Sequence, residues 1–214
     1  MLDITKPKIN EYIIGLGRNG LPTKDADILR QMQDYAAKNG FPIIGPMVGR
    51  FLRQLALSMN SQRVLEMGSG YGYSAMWFAG GMGNKGQIIC TDGSKDNQKM
   101  ALTYFENAGY ANMIEFKVGD ALEIARRLSG SFDIILNDVD KKQYPESFDI
   151  AIPLLRRGGV FITDNVLWSG RIFNKRPDKA TQSILEFNRK LFDSPDVLSS
   201  ILPIRDGLGI AVKI

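Results

Sequence analysis

The sequence predicts a single doubly wound α/β domain with a Rossmann-like parallel sheet. Short apolar β-type runs alternate with helix-type stretches from Arg63 onward, and a glycine-rich turn follows the first of these runs. No linker or change in composition divides the 214 residues, of which 44% are hydrophobic and 23% charged. That balance is typical of a globular protein, and the length suits one core. Strands that alternate with helices form parallel sheets with right-handed crossovers.

Five runs have β character and are expected to pair in parallel. They cover residues 63–67, 87–92, 114–120, 132–138 and 158–165. Each of the first four is followed by a stretch long enough for a crossover helix, such as 73–79 or 96–108. Two further runs, 197–204 and 208–214, are joined by a turn at Asp206-Gly207. Runs connected so tightly must pair antiparallel, so we predict five parallel strands and a C-terminal antiparallel hairpin.

Residues 1–60 contain no comparable β runs and are expected to form helices over 3–16, 26–39 and 45–58. We therefore predict one domain over 1–214, in which a helical N-terminal cap (1–60) covers a Rossmann-like core (61–214).

The absence of histidine and the single cysteine, Cys90, limit the chemistry. Ser-His-Asp and Cys-His catalysis are excluded, and an ordinary zinc site is disfavoured. A metal would need oxygen ligands, and a general base would be a carboxylate, lysine or tyrosine. The chain shows no signal peptide, disulfide pair or run of ~20 apolar residues, so we expect a cytoplasmic protein without membrane contact.

A net charge of +4 and a pI near 9.1 would suit an anionic partner. The basic residues are spread out in short pairs, which favours an ordinary solvated surface but leaves nucleic acid open.

The first β run leads into the loop VLEMGSGYGYSA, with glycines at 68, 70 and 72. Glycines at a strand-to-helix turn permit a tight bend and let a ligand approach the backbone. The dinucleotide fingerprint G-x-G-x-x-G would require glycine at position 73, where this chain has tyrosine, so a nicotinamide cofactor is disfavoured. A purely structural turn remains the alternative.

Acidic residues end the second and third runs. Asp92 lies 20 residues beyond Gly72, where an acid can accept hydrogen bonds from a ribose, or can cap the following helix. Asp120 suits an adenine contact, or an N-cap of a helix that begins at Ala121.

Polar side chains also end the fourth and fifth runs, as Asn137-Asp138 and Asp164-Asn165. Neighbouring strands lie ~4.8 Å apart, so Asp138, Asp164 and Asn165 can converge at the ligand-binding edge of the sheet. Either pair alone would be read as a cap or a turn. Two adjacent pairs instead predict an oxygen site for Mg²⁺ or Mn²⁺.

The segments VLEMGSGYGYSA, NDVDKKQY, TDNVLWSG and LPIRDGLGIAVK resemble the cation-dependent S-adenosylmethionine O-methyltransferases related to catechol and caffeoyl-coenzyme A O-methyltransferases. The resemblance extends from Gly45 to Ile214 and implies a class I methyltransferase fold. It implies that Asp138, Asp164 and Asn165 bind Mg²⁺, Mn²⁺ or Ca²⁺ and that Lys141 is the catalytic base. Two residues depart from the family: Asp92 stands where glutamate is usual, and Asn137 replaces a small or apolar residue.

The resemblance also implies a set of residues that contact S-adenosylmethionine. They are Ile44, Glu66, Gly68, Gly70, Tyr71, Ser74, Asp92, Gly93, Asp120, Ala121 and Asp138. The expected substrate is a small phenolic molecule such as a catechol or a hydroxycinnamoyl compound, with Trp168 as an aromatic wall or as simple loop packing. Transfer RNA is the alternative substrate, because related bacterial proteins methylate hydroxylated uridine. Relatives commonly form homodimers, which we expect here.

Overall fold

The computed structural model describes residues 7–16, 21–83 and 86–214. Its centre is a seven-stranded sheet in the order β3-β2-β1-β4-β5-β7-β6. The strands are β1 (Arg63–Met67), β2 (Gln87–Asp92), β3 (Ile114–Val118), β4 (Phe132–Asn137), β5 (Leu155–Thr163), β6 (Val197–Leu202) and β7 (Leu208–Lys213). The first five are parallel, and β7 pairs antiparallel with both β5 and β6. The predicted doubly wound sheet with a C-terminal antiparallel hairpin is confirmed.

Eight α-helices are described alongside the sheet. They are α1 (Pro7–Gly15), α2 (Thr23–Asn39), α3 (Gly45–Ser58), α4 (Tyr73–Met82), α5 (Lys95–Ala108), α6 (Ala121–Arg126), α7 (Tyr144–Leu154) and α8 (Lys179–Asp193). The first predicted helix corresponds to α1, and its residues 3–6 lie outside the described part of the chain. The second begins at Thr23, three residues earlier than predicted, and the third has the predicted bounds. In the described residues, no helix is both long and apolar enough to cross a membrane.

The largest difference between predicted and observed strands lies in β5, which begins at Leu155, not Gly158. The Gly158-Gly159 pair obscured this strand, because glycine is a poor strand former. The pairing with β4 shifts register here. A side chain at Gly159 would meet the backbone oxygens of Arg156 and Phe132 at 2.9 and 3.0 Å, so glycine is required where the two strands crowd together.

The sheet is covered on both faces, as its apolar strands require. Alternate residues of β1 point to opposite sides: Val64 belongs to the core under α2 to α5, whereas Leu65 belongs to the core under α6 to α8. Met32 of α2 and Leu52 of α3 are fully buried in the same core as Val64. The N-terminal helices therefore share a core with the sheet.

Candidate active site

The candidate site lies at the edge of the sheet where β1, β2, β4 and β5 end. Parallel strands present their carboxyl ends at one edge, and loops that follow them form ligand sites in open α/β sheets. The topology therefore brings the glycine loop, Asp92, Asp138 and Asp164 together.

The glycine loop packs directly against the end of β4. Gly68 has φ +87°, and a Cβ atom there would lie 2.5 Å from the carbonyl oxygen of Asp138. Only glycine satisfies both the backbone angle and this close approach. The loop then enters α4 at Tyr73, as predicted.

Asp92 is held by three hydrogen bonds. Its carboxylate accepts from the backbone N–H of Ser94 (2.8 Å), the amide of Asn97 (2.9 Å) and the backbone N–H of Gly70 (3.1 Å). Ser94, not Asp92, is the N-cap of α5. Asp92 thus orders the turn and fixes the glycine loop, and it retains acceptor capacity for a ribose, which stays a prediction.

A cavity of about 190 Å³ opens over the glycine loop. The predicted cofactor residues that line it are Ile44, Gly68, Gly70, Tyr71, Ser74, Asp92 and Asp138. The others, which stand outside its lining, are Glu66, Gly93, Asp120 and Ala121. Their assignment to the cofactor stays a prediction.

The two acidic residues outside the cavity lining, Asp120 and Glu66, each have a clear structural environment. The Asp120 carboxylate caps α6 by accepting from the backbone N–H of Glu123 (2.9 Å), so the N-cap alternative is confirmed. Glu66 is fully buried below the loop, and within the described residues its Oε1 has no hydrogen-bond partner. Burial raises the pKa of Glu66 to about 7, because a buried carboxylate loses its hydration.

A wider cavity of about 960 Å³ adjoins the first. Phe41, Pro42, Ile43 and Asp138 line both. The wider cavity also contains Lys141, Asp164, Asn165, Trp168 and Arg205. The predicted metal, base and substrate residues therefore share one chamber, which opens directly onto the glycine loop.

The predicted metal ligands fit a hard cation. Asp164 is 3% exposed, and in the described chain its Oδ1 has no hydrogen-bond partner. Burial and then the nearby Asp138 carboxylate raise the pKa of Asp164 to about 6. Two carboxylates that oppose each other's ionisation, one with a buried and unpaired oxygen, form a site short of positive charge. Asn165 adds a neutral oxygen. Among the described residues, no three His, Cys, Asp or Glu side chains are grouped so that they could hold a metal, so a site here would need the Asn165 oxygen as its third ligand.

Lys141 lies in the same chamber and is largely enclosed. Its Nζ donates to Asp138 Oδ1 at 2.9 Å, and 16% of its side chain is exposed. The ammonium lies 5.0 Å from the ring centre of Tyr144 and 5.9 Å from that of Trp168. The sequence placed Lys141 near Asp138, a predicted metal ligand, and the structure shows the contact between the two side chains.

The loop after β5 is held by the hairpin turn between β6 and β7. Asn165 and Trp168 have φ angles of +62° and +47°, which non-glycine residues seldom adopt. The loop is anchored by hydrogen bonds from Val166 N–H to Gly207 O (3.1 Å) and from Leu167 N–H to Asp206 O (2.9 Å). The C-terminal hairpin thus positions both the predicted metal ligand and the predicted aromatic wall.

Sequence reasoning missed two parts of the chamber. Phe41, Pro42 and Ile43, between α2 and α3, line both cavities, although the sequence pointed only to the adjacent Ile44. Arg205 comes from the hairpin turn within LPIRDGLGIAVK, a segment that carried the family resemblance without a role for Arg205. Two features of the sequence could have indicated these residues. One is the Phe41-Pro42 pair between two predicted helices, and the other is the basic Arg205 directly before Asp206-Gly207.

Comparison with known proteins agrees with this architecture. A family model described as O-methyltransferase matches residues 21–214. Caffeoyl-CoA O-methyltransferase 1 of Eucalyptus globulus is 29% identical over 206 residues, with 89% of this chain and 83% of that protein covered. A catechol O-methyltransferase of Niastella koreensis is 29% identical over 198 residues, with 87% and 90% covered.

Solved structures show the same fold. An O-methyltransferase from Bacillus cereus in complex with SAH superposes with a TM-score of 0.85 at 26% identity, covering 97% of each chain. The O-methyltransferase TomG from Streptomyces achromogenes in complex with SAM gives 0.83 at 25% identity, covering 96% of each. Because the family model matches residues 21–214, nearly all of the sequence, the chain belongs to the O-methyltransferase family.

Proposed function

We propose that this O-methyltransferase uses S-adenosylmethionine and a divalent cation to methylate one hydroxyl of a catechol-like or hydroxycinnamoyl small molecule. The observation that carries this proposal is the shared wall of the two cavities. Asp138 lines both, and Lys141 is hydrogen-bonded to it. A methyl donor over the glycine loop and an acceptor beside Lys141 would therefore be neighbours.

S-adenosylmethionine and a divalent cation would supply two things that side chains cannot, a transferable methyl group and a double positive charge. When bound, S-adenosylmethionine supplies an activated methyl group, and a divalent cation supplies positive charge that favours the ionised form of a hydroxyl. Asp138, Asp164 and Asn165 would hold Mg²⁺, Mn²⁺ or Ca²⁺, since all three offer oxygen atoms. Gly68, Gly70 and Asp92 would hold the cofactor at the first two strand ends.

The acceptor hydroxyl needs a proton acceptor, because a phenol has a pKa near ~10 and is largely protonated at neutral pH. Lys141 is the basic side chain enclosed at the wall between the cavities. It can take the proton on Nζ only as a neutral amine, so the ammonium that pairs with Asp138 must first lose one of its three protons. The neutral amine can still donate one N–H to Asp138 while its lone pair accepts the proton.

Trp168 would orient the acceptor ring. Its side chain borders the chamber beside Lys141, and a flat phenolic ring packs well against an indole face. Phe41 and Pro42 add apolar surface to the same cavity. These apolar surfaces would hold the ring while excluding water from the reacting oxygen.

The proposal is tested by methyl transfer from labelled cofactor to catechols, hydroxycinnamoyl compounds and hydroxyuridine-containing transfer RNA. We expect turnover of a vicinal diol, its loss with EDTA and its return with Mg²⁺ or Mn²⁺. Full activity of the metal-stripped protein would contradict the metal site. Turnover of transfer RNA alone, with binding that weakens steeply as salt rises, would favour the RNA substrate instead.

A further inference from the structure

We propose that Arg205 binds an anionic group of the methyl acceptor and so selects acceptors that carry negative charge. The inference rests on the proposed function, because it names a chemical class of substrate for the same chamber.

Arg205 reaches over the chamber from the hairpin turn between β6 and β7. It lines the wider cavity together with Lys141 and Trp168, and it is not part of the lining over the glycine loop. Its Nη1 donates to the carbonyl oxygen of Ile43 at 2.8 Å, which ties the turn to the segment between α2 and α3. The guanidinium is therefore held at the acceptor side of the site.

In the described residues, this guanidinium interacts with the Asp138 and Asp164 carboxylates only beyond ion-pair distance. No carboxylate lies within salt-bridge distance of Arg205 there, and its hydrogen bond to Ile43 uses a neutral oxygen. The adjacent Asp206 carboxylate accepts from the backbone N–H of Ser169 instead. Arginine has five N–H donors in a planar fork, so most remain available for a carboxylate or phosphate.

The surroundings of the guanidinium add positive potential. It packs over Gly45, the first residue of α3, with guanidinium atoms 3.6 Å from the position of a Cβ atom there. No side chain caps this helix of 14 residues, so no side-chain acceptor offsets the partial positive charge of its N-terminus. A cation next to a helix N-terminus is unfavourable in isolation, and a bound anion would relieve the repulsion.

The backbone at Arg205 also departs from what arginine prefers. Its φ angle is +51°, in the region that favours glycine and asparagine. This angle belongs to the tight turn between β6 and β7, and the turn places the long cationic side chain at the wider cavity.

The charge balance of the chamber agrees with an anionic acceptor. Its lining contains three carboxylates, from Asp138, Asp140 and Asp164, and two cations, from Lys141 and Arg205. A divalent cation on Asp138 and Asp164 would turn this excess of one negative charge into an excess of one positive charge. Acceptors with a carboxylate would be attracted, and those with an ammonium repelled.

The test compares Arg205→Gln with the wild type. Glutamine keeps an amide donor for the Ile43 carbonyl while it removes the charge. Arg157→Gln is the matched control, because Arg157 is exposed near the start of β5, away from the edge where the strands end. The acceptors are 3,4-dihydroxycinnamate, its neutral amide and its coenzyme A thioester. Calorimetry with Mg²⁺ and S-adenosylhomocysteine present measures binding, and labelled cofactor measures kcat/KM.

We expect Arg205→Gln to weaken binding and kcat/KM for the free acid by about 10- to 100-fold, as loss of a charge-assisted contact implies. In Arg205→Gln, the binding and kcat/KM of the neutral amide and the KM for S-adenosylmethionine should change less than about twofold. In the Arg157→Gln control, the values for all acceptors should also change less than about twofold. A selective loss for the thioester would support the anion subsite and assign it to a phosphate.

Equal losses for the acid and the amide would overturn the inference, since Arg205 would then only brace the loop. A higher KM for the cofactor alone would also overturn it. The proposed function can fail separately: charge-selective binding without methyl transfer to any acceptor would refute the function and leave the anion subsite standing.

Discussion

Lys141 makes two kinds of contact, with a carboxylate and with aromatic rings. Its Nζ is 2.9 Å from the Asp138 carboxylate, and the rings of Tyr144 and Trp168 face it at 5.0 and 5.9 Å. A cation near aromatic faces is stabilised by the ring quadrupole. A lysine that acts as a base must give up and take back a proton, whereas one that anchors an anion keeps its charge throughout. Mutants distinguish these two roles.

We expect Lys141→Ala to lower kcat by ~10²- to 10⁴-fold, the usual contribution of a positioned base. Lys141→Arg should not restore the rate, because arginine keeps the charge but does not lose its proton at working pH. Steady-state kinetics at saturating metal and cofactor, between about pH 6.5 and 9, measure both. Lys142→Ala is the control, because Lys142 is the adjacent lysine and is exposed. Substantial kcat in Lys141→Arg would assign Lys141 to charge anchoring instead.

Asp92 is the second residue whose role can be separated from its structural contacts. Asp92→Asn removes the carboxylate charge and keeps a side-chain oxygen for the turn. Since a charge-assisted hydrogen bond is worth ~1.5–3 kcal/mol, cofactor binding measured by calorimetry should weaken at least about tenfold. Asp96→Asn, at an exposed position in the first turn of α5, is the control. Unchanged affinity in a folded Asp92→Asn protein would remove Asp92 from the cofactor site.

Among the elements, the glycine loop shows how a backbone approach builds the site. Gly68 and Gly83 both have positive φ angles, +87° and +66°. A Cβ atom at Gly68 would lie 2.5 Å from the Asp138 carbonyl oxygen, while one at Gly83 would meet no atom of the described residues within 4 Å. The pair therefore separates the cost of the φ angle from the cost of the collision.

We expect Gly83→Ala to lower the free energy of unfolding by about 1–3 kcal/mol, because its φ of +66° and ψ of −157° lie in a region that is essentially restricted to glycine. Gly68→Ala should cost more, because the collision displaces the end of β4, and it should also weaken cofactor binding. Urea denaturation and calorimetry measure the two effects. If the two variants lose the same free energy of unfolding, the glycine loop accommodates the added Cβ atom without displacing Asp138.

The elements also show what the sequence could and could not predict. The alternation of apolar runs and helices predicted all seven strands, and strand-end polarity predicted that Asp138, Asp164 and Asn165 share a chamber. The start of β5 was missed because glycines interrupt its apolar pattern. Arg205 was missed because its place in the chamber depends on a contact between residues 162 positions apart.

For the whole molecule, the buried Glu66 couples stability to pH. Burial raises its folded-state pKa from 4.5 to about 7. A group with a raised folded pKa contributes its full stability below the unfolded pKa, and loses it as pH rises through the folded pKa. The free energy of unfolding should therefore fall between about pH 4.5 and 7 through the ionisation of this residue.

Glu66→Gln should remove this fall. Between pH 5 and 8, the wild type should lose about 2–3 kcal/mol more than the mutant, as the pKa difference implies. Urea denaturation of both proteins without cofactor or metal measures the difference, and the contribution of Asp164 cancels because both proteins retain it. Glu106→Gln, at an exposed position on α5, is the control. Parallel pH profiles for wild type and Glu66→Gln would show that Glu66 is hydrated or paired in solution.

The position of β7 between β5 and β6 has a consequence for synthesis. This strand, the last of the seven along the chain, fills an interior place in the sheet, and its preceding turn anchors the loop that carries Asn165 and Trp168. On the ribosome, β1 to β5 can pair while residues 208–213 are still inside the exit tunnel. The exposed edge of β5 is then open to other chains. That edge closes, and the lining of the wider cavity is completed, only once β7 has emerged, so the lining over the glycine loop can form first.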